Sequence, residues 1–271
     1  MKARTLVRGA DGEASVSPHD RGVLYGDGLF ETVLVVDGAA PLWPRHAARL
    51  AAGCARLGLP VPDLDVLVHE CRTLCEGLAR AAVRITWTRG VGERGYAPPA
   101  QPQPTLIMAA APAPIVPAKA YEQGVAVRIC ATRLAAPSAL AGLKHTNRLE
   151  QVLARAEWND PAIAEGLLCD ADDRVISATA ANLFARIDGM LATPPVERCG
   201  VAGVARAEVL ARGVATVRDI GLDALVRADE VFLTSSLRGI VPVTAIDGRR
   251  LAVGETTRAL QAQWRAQGWM L

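Results

Sequence analysis

Lysine occurs at only three places in this 271-residue chain, Lys2, Lys119 and Lys144, and all the other basic residues are arginine. The two side chains are not chemically equivalent. An arginine guanidinium cannot form an imine or lose its proton near neutral pH, whereas a lysine amine can do both. Lys2 is terminal and Lys119 lies in a proline-rich stretch, so Lys144 is the lysine whose position asks for a chemical explanation. It sits in GLKHTNRLEQ, residues 142–151, just ahead of an apolar helical pattern. Asn147 and Glu150 have the spacing of a capping box, which would fix the helix start and hold Lys144 a few residues before it.

Other segments could complete a site. GVAGVAR, residues 200–206, opens a helix, and free backbone N–H groups there make a seat for a phosphate. The glycines of DRGVLYGDGLFE, residues 20–31, permit tight backbone near a strand start, although alone this is only a loop. In HAARL, residues 46–50, Arg49 lies on the helix face opposite Leu50 and Cys54, where it reaches either an anion or water. Gly92, Gly95 and Pro98 mark a loop that carries Arg94 and Tyr96. Cys71 and Cys75 stand four apart near His69, but no second pair at ligand spacing completes a metal centre, and no metal is expected.

The elements that must position these residues follow from patterning. Residues 31–36 read as a strand ending in the hairpin dipeptide Asp37-Gly38, with 39–43 as the return strand. Helices are predicted at 45–57, closed by Gly58, and at 64–79. Val83, Ile85 and Trp87 alternate with polar residues as a strand, with 105–110 as its partner. APAPIVPAK, residues 111–119, is a stiff connector. Beyond it come a strand at 125–130, a helix at 148–158, and strands at 166–169, 174–177, 182–187 and 190–193. A helix after Gly203 and strands at 214–218 and 230–234 complete the reading. The prediction is an α+β chain of two domains, 1–110 and 120–271, joined by a linker at 111–119, with Lys144 in the second. It is not the regular βαβ alternation of a doubly wound nucleotide fold.

Composition narrows the function classes. A net charge of +2 and 4% aromatic residues give no basis for nucleic-acid binding. No apolar run is long enough to span a bilayer, and the first twenty residues lack the apolar core of a signal peptide. The expectation is a cytoplasmic protein whose six cysteines are reduced thiols.

Taken in order, DRGVLYGDGLFET, HxxRL, the lysine segment, the Asn182-Leu183-Phe184 strand and GVAGVAR resemble the fold-type IV pyridoxal-phosphate (PLP) family, over about residues 6–243. That family includes branched-chain and D-amino-acid aminotransferases and aminodeoxychorismate lyase. The resemblance implies a two-domain α+β fold of the D-amino-acid aminotransferase type, a homodimer, and PLP joined to Lys144. It implies that Arg49, the backbone N–H groups of Val204 and Ala205, and the hydroxyl of Ser236 hold the phosphate. Residues 143–158 and 88–96 look like those of the aminodeoxychorismate lyase branch. This implies conversion of 4-amino-4-deoxychorismate to 4-aminobenzoate and pyruvate in folate biosynthesis, with Arg94 and Tyr96 binding a carboxylate of the dicarboxylate substrate.

One position departs from the aminotransferase pattern. Five residues before the asparagine of the NLF strand, aminotransferases of this family carry a glutamate against the pyridine nitrogen, and this chain has Ser177. A hydroxyl offers a hydrogen bond but no charge, which weakens the electron sink. Either Ser177 faces that nitrogen or another acid, Asp170 or Asp173, serves it. The rival activities are a D- or branched-chain aminotransferase and a non-catalytic PLP-binding protein. Intact Lys144, Arg94 and Tyr96 argue against the latter.

Overall fold

Ala81, Val83 and Ile85 alternate with more accessible residues and are fully buried, which makes their strand the spine of the N-terminal sheet. The computed structural model describes residues 4–9, 15–136 and 138–270, so Lys2 lies outside the described residues. The chain forms two compact units. One comprises the residues up to Pro114 together with Leu143–Asn147, and the other comprises Ile115–Gly142 together with the residues from Arg148 onward.

The first unit contains β1 (Arg4–Arg8), α1 (Arg21–Tyr25), β2 (Gly28–Val36), α2 (Trp43–Leu57), α3 (Leu64–Leu74), β3 (Arg80–Thr88) and β4 (Thr105–Pro112). Its four-stranded antiparallel sheet has the order β1-β4-β3-β2. Asp37 and Gly38 adopt φ of 46° and 76°, as a tight turn requires, yet no return strand follows. Ala39 makes a single bridge to Val36, β2 pairs with β3 instead, and α2 begins at Trp43. Pro44 supplies the reason, because proline suits the first turn of a helix and cannot donate to a ladder. Gly58 closes α2 in the left-handed conformation, as read from the sequence. Helix α3 stops at Leu74, five residues before the predicted end. Gly53 lets α2 lie close on the sheet, since a Cβ there would come 2.8 Å from Leu29 Cδ1.

The second unit contains α4 (Ala118–Gln123), β5 (Val125–Leu134), α5 (Leu149–Arg155), β6 (Ile163–Asp170), β7 (Val175–Ala178), β8 (Asn182–Ile187), β9 (Met190–Thr193) and α6 (Val204–Ala211). It continues with β10 (Thr216–Val217), α7 (Leu222–Val226), β11 (Glu230–Ser235), β12 (Gly239–Ile246), β13 (Arg249–Arg250) and α8 (Glu255–Ala266). The sheet order is β10-β9-β8-β11-β12-β5-β6-β7, with β13 beside β12. Strand β6 is buried from Glu165 to Asp170 because both faces are covered. Leu167 packs with Val127, Leu183 and Val231, while Leu168 packs with Cys130, Trp158 and Ile176.

The connector reads differently in space. Its first residues extend β4 through Pro112, its last begin α4, and the units meet in sequence between Pro114 and Ile115. The Lys144 segment groups with the first unit, although the sequence boundaries assign it to the second domain. Five residues carry no compositional signal. What holds them is edge pairing with β2, where Phe30 N–H donates to the Lys144 carbonyl at 2.9 Å and Thr146 N–H donates to the Gly28 carbonyl at 3.0 Å.

The cysteines at 54, 71, 75, 130, 169 and 199 are free and buried. Burial pushes the thiols of Cys54, Cys130, Cys169 and Cys199 up to about 11 and that of Cys71 to about 12. Among the described residues, no group of three or more His, Cys, Asp or Glu is placed to hold a metal ion. No helix among them is long and apolar enough to cross a membrane.

Candidate functional site

Lys144 extends over the ring of Phe30, with Nζ 4.3 Å from its centroid. Phe30 belongs to β2, and the next residue along that strand, Glu31, is 1% exposed. A carboxylate so deeply buried needs partners. It has two, both from α2: Arg49 donates from Nε at 2.8 Å and also from Nη2, and His46 Nδ1 lies 2.6 Å away. Burial raises the Glu31 pKa, but the Arg49 charge and the His46 contact outweigh it and hold the carboxyl at about 2. Burial moves His46 the other way, below its usual value, and the Arg49 and Lys144 charges add to that against the pull of Glu31. A carboxylate only accepts, so His46 Nδ1 is the donor in this contact. The ring's Nε2 is buried and has no partner among the described residues.

The sequence reading left Arg49 to meet either an anion or water; its side chain reaches the Glu31 carboxylate and is only 13% exposed. The reading of Asn147 is corrected: the N-cap of α5 is Arg148, with no side-chain cap, and Asn147 Nδ2 donates instead to the Gly26 carbonyl at 3.0 Å. Glu150 accepts from the Ala135 N–H at 2.9 Å rather than closing a capping box.

The segment at 20–27 is more than a loop. Asp20 caps α1 by accepting from Gly22 N–H at 2.7 Å, and Gly26 ends the helix with φ of 67°. Asp27 binds both Arg21 and Arg89, at 2.9 and 2.7 Å. Burial raises the Asp27 carboxyl, but the two arginines outweigh it and hold the pKa below the ordinary value. Arg94 and Tyr96 lie on the neighbouring loop and are exposed. Tyr96 is 84% exposed, and its ring meets that of Tyr25 edge-on, with centroids 5.3 Å apart.

In the second unit, the turn before α6 is built without room to spare. Gly142 N–H donates to the Gly200 carbonyl and Ala202 N–H donates to the Gly142 carbonyl, each at 3.0 Å. Asn182 Nδ2 donates to the Val201 carbonyl at 3.0 Å, and a Cβ on Gly203 would lie 1.9 Å from Asn182 Oδ1. Val204 and Ala205 open α6 and are buried, and no side chain caps that end. Thr234 pairs across the strands with Asn182, and its buried Oγ1 has no partner among the described residues. Ser236 follows in the turn toward β12, and Ser177 lies on β7 opposite Leu168. The alternative acids are engaged, Asp170 by Arg174 at 2.8 Å and Asp173 by Arg133 at 2.8 Å. Gly203→Ala should therefore destabilise the protein by roughly 1–3 kcal/mol, the usual scale of overpacking. Urea unfolding checks this, and Asn182→Ala in the same chain should recover part of the loss.

Residues 28–246 match the amino-transferase class IV family. The chain belongs to that family. The aminodeoxychorismate lyase of Vibrio harveyi is 35% identical over 89% of this chain and 93% of its own length. The crystal structure of 4-amino-4-deoxychorismate lyase from Pseudomonas aeruginosa is 47% identical, covers 97% of this chain and 98% of its own, and superposes with a TM-score of 0.91. The branched-chain amino acid aminotransferase of Escherichia coli is 25% identical, covering 98% and 95%, with a TM-score of 0.85. The chain thus has the mixed α+β fold of class IV enzymes. Sequence reasoning passed over Glu31, His46, Arg21 and Asp27 in this class IV chain. The only sequence signal was an acid or base set among apolar residues, as Glu31 is between Phe30 and a β-branched run.

Proposed function

We propose that this chain is a PLP-dependent lyase that converts 4-amino-4-deoxychorismate to 4-aminobenzoate and pyruvate. The observation that carries this reading is the near full-length likeness to the Pseudomonas aeruginosa lyase at 47% identity, with Lys144 presented beside Phe30.

The residues fit the cofactor. Lys144 supplies a primary amine at a fixed place on the β2 edge. The α6 turn offers uncapped backbone donors behind a glycine that admits no side chain, chemistry suited to a phosphate. We assign the phosphate to Arg49, the N–H groups of Val204 and Ala205, and Ser236, and one substrate carboxylate to Arg94 and Tyr96.

When bound, PLP supplies an electron sink for charge that develops at the amine-bearing carbon. Lys144 Nζ takes the proton from that carbon. The adjacent carbon–oxygen bond breaks, the three-carbon fragment picks up a proton as pyruvate, and the six-membered ring becomes aromatic. Aromatisation drives the step, so the chain can do without a carboxylate at Ser177. Ser177 can offer the pyridine nitrogen a hydrogen bond but no charge. Ser177→Glu should then increase slow amino transfer from simple amino acids by about tenfold, the effect of roughly 1.4 kcal/mol, and lower lyase turnover. Keto-acid-dependent product formation measures both.

The deciding experiment gives the purified protein 4-amino-4-deoxychorismate and follows pyruvate and 4-aminobenzoate together. Release of both without added keto acid supports the lyase. Activity that needs a keto acid and releases no pyruvate supports the aminotransferase reading, which the likeness to the Escherichia coli enzyme favours. A cytoplasmic homodimer is part of the proposal, and gel filtration with light scattering tests the oligomer.

A further inference from the structure

We propose that Arg21 is a positioning residue for the dicarboxylate substrate, holding the loop that presents Arg94 and Tyr96. This rests on the assignment of those two residues to a substrate carboxylate. Arg21 is 4% exposed although it carries a permanent charge, and the hydrogen bonds of its guanidinium serve one purpose. Nη1 donates to the carbonyls of Gly95 and Ala97 at 3.1 and 3.2 Å, and Nη2 donates to the Tyr96 carbonyl at 2.9 Å. Three consecutive carbonyls at the loop tip are thus gathered onto one planar fork. Nε donates to Asp27 Oδ2 at 2.9 Å, which sets the plane of the fork.

Asp27 is itself anchored. Arg89 donates to the same Oδ2 at 2.7 Å, and its other nitrogens donate to the carbonyls of Leu57 and Gly58 at the end of α2. The strut therefore runs from a helix terminus through Arg89, Asp27 and Arg21 to residues 95–97. Two packing contacts reinforce it. The Arg21 guanidinium sits 5.0 Å from the Tyr25 ring centroid, and that ring meets Tyr96 edge-on. The Arg21 stem lies so close to Gly92 that a Cβ there would come 2.9 Å from Cδ.

An exposed loop with Gly92 and Gly95 would otherwise sample many conformations, and each would aim Arg94 differently. Fixing the backbone removes that entropy before substrate arrives, which is preorganisation and lowers KM more than it changes kcat. Lysine cannot replace the fork, because its ammonium is a point donor with no planar array.

The test is Arg21→Lys, with Asp27→Asn as a second variant that keeps both arginines and loosens the plane. The expected result is a rise of about tenfold in KM for 4-amino-4-deoxychorismate, with kcat within about threefold. Hydrogen exchange at residues 93–97 should quicken in both variants. Faster exchange with an unchanged KM would leave the strut purely structural and overturn the proposal, as would unchanged exchange. If the wild-type protein releases no pyruvate, the lyase reading fails by itself, and the exchange measurement still decides whether Arg21 holds the loop.

Discussion

Lys144→Ala abolishes turnover and the visible absorbance of the bound cofactor while leaving the fold intact. Alanine has no amine to hold the cofactor's aldehyde or to move the proton. The fold should survive because backbone hydrogen bonds hold the segment, from Phe30 N–H to the Lys144 carbonyl and from Thr146 N–H to the Gly28 carbonyl. Lys144→Arg is the sharper version. It keeps a cation beside Phe30, so the cation–π contact persists, yet it cannot form the covalent link. Both variants should be inactive and both should unfold near the wild-type urea midpoint. Borohydride treatment of the loaded wild type should fix the cofactor to the peptide containing Lys144. A label on Lys119, which lies in α4, would show that the wrong lysine has been assigned.

Arg49→Leu should cost about 3 kcal/mol of stability in the cofactor-free protein, besides weakening cofactor retention. Removing one partner of a buried ion pair leaves the other charge stranded, and this typically costs about 3–5 kcal/mol. Here His46 limits the damage, because Nδ1 still donates to the Glu31 carboxylate. The acid limb of stability should change as well. The folded chain holds the Glu31 carboxyl at about 2 against an ordinary value of 4.5. Its contribution is therefore complete above about pH 4.5 and is lost as pH falls toward about 2, a span worth on the order of 3 kcal/mol. Without Arg49 that loss should set in at higher pH. Adding Glu31→Gln to Arg49→Leu should restore part of the stability and flatten the acid limb. Urea unfolding at pH 7 and at pH 4 in the wild type and both variants measures each effect.

Local chemistry made much of the fold legible. The alternation at 83–87, the Gly58 stop and the Asp188-Gly189 turn between β8 and β9 all stand where residue types demand them. The same dipeptide at 37–38 misled, because whether a return strand follows depends on what comes after it, here Pro44 in the first turn of α2. Strand β12 escaped notice for a related reason. Pro242 lies within it, and a proline argues against a central strand. In the structure, Pro242 pairs with Phe232 of β11, and the pairing of β12 with β5 begins only at Val243. The site was legible where a single residue is chemically irreplaceable, as with Lys144. It was not legible where a role depends on who stands opposite in space. Arg49 carries no mark of Glu31, eighteen positions away, and Arg21 carries no mark of the carbonyls at 95–97.

The buried cysteines have a practical use. Thiolate is the reactive form, so thiols whose pKa burial pushes up and that are shielded from solvent should ignore an alkylating reagent at neutral pH while the chain is closed. Each becomes a clock for the opening of its own surroundings. Cys54, Cys71 and Cys75 keep time for the first unit and Cys130, Cys169 and Cys199 for the second, with peptide mass spectrometry reading them separately. Pulsed alkylation in mild denaturant would reveal whether the six clocks start together, as in one cooperative transition, or in two groups of three.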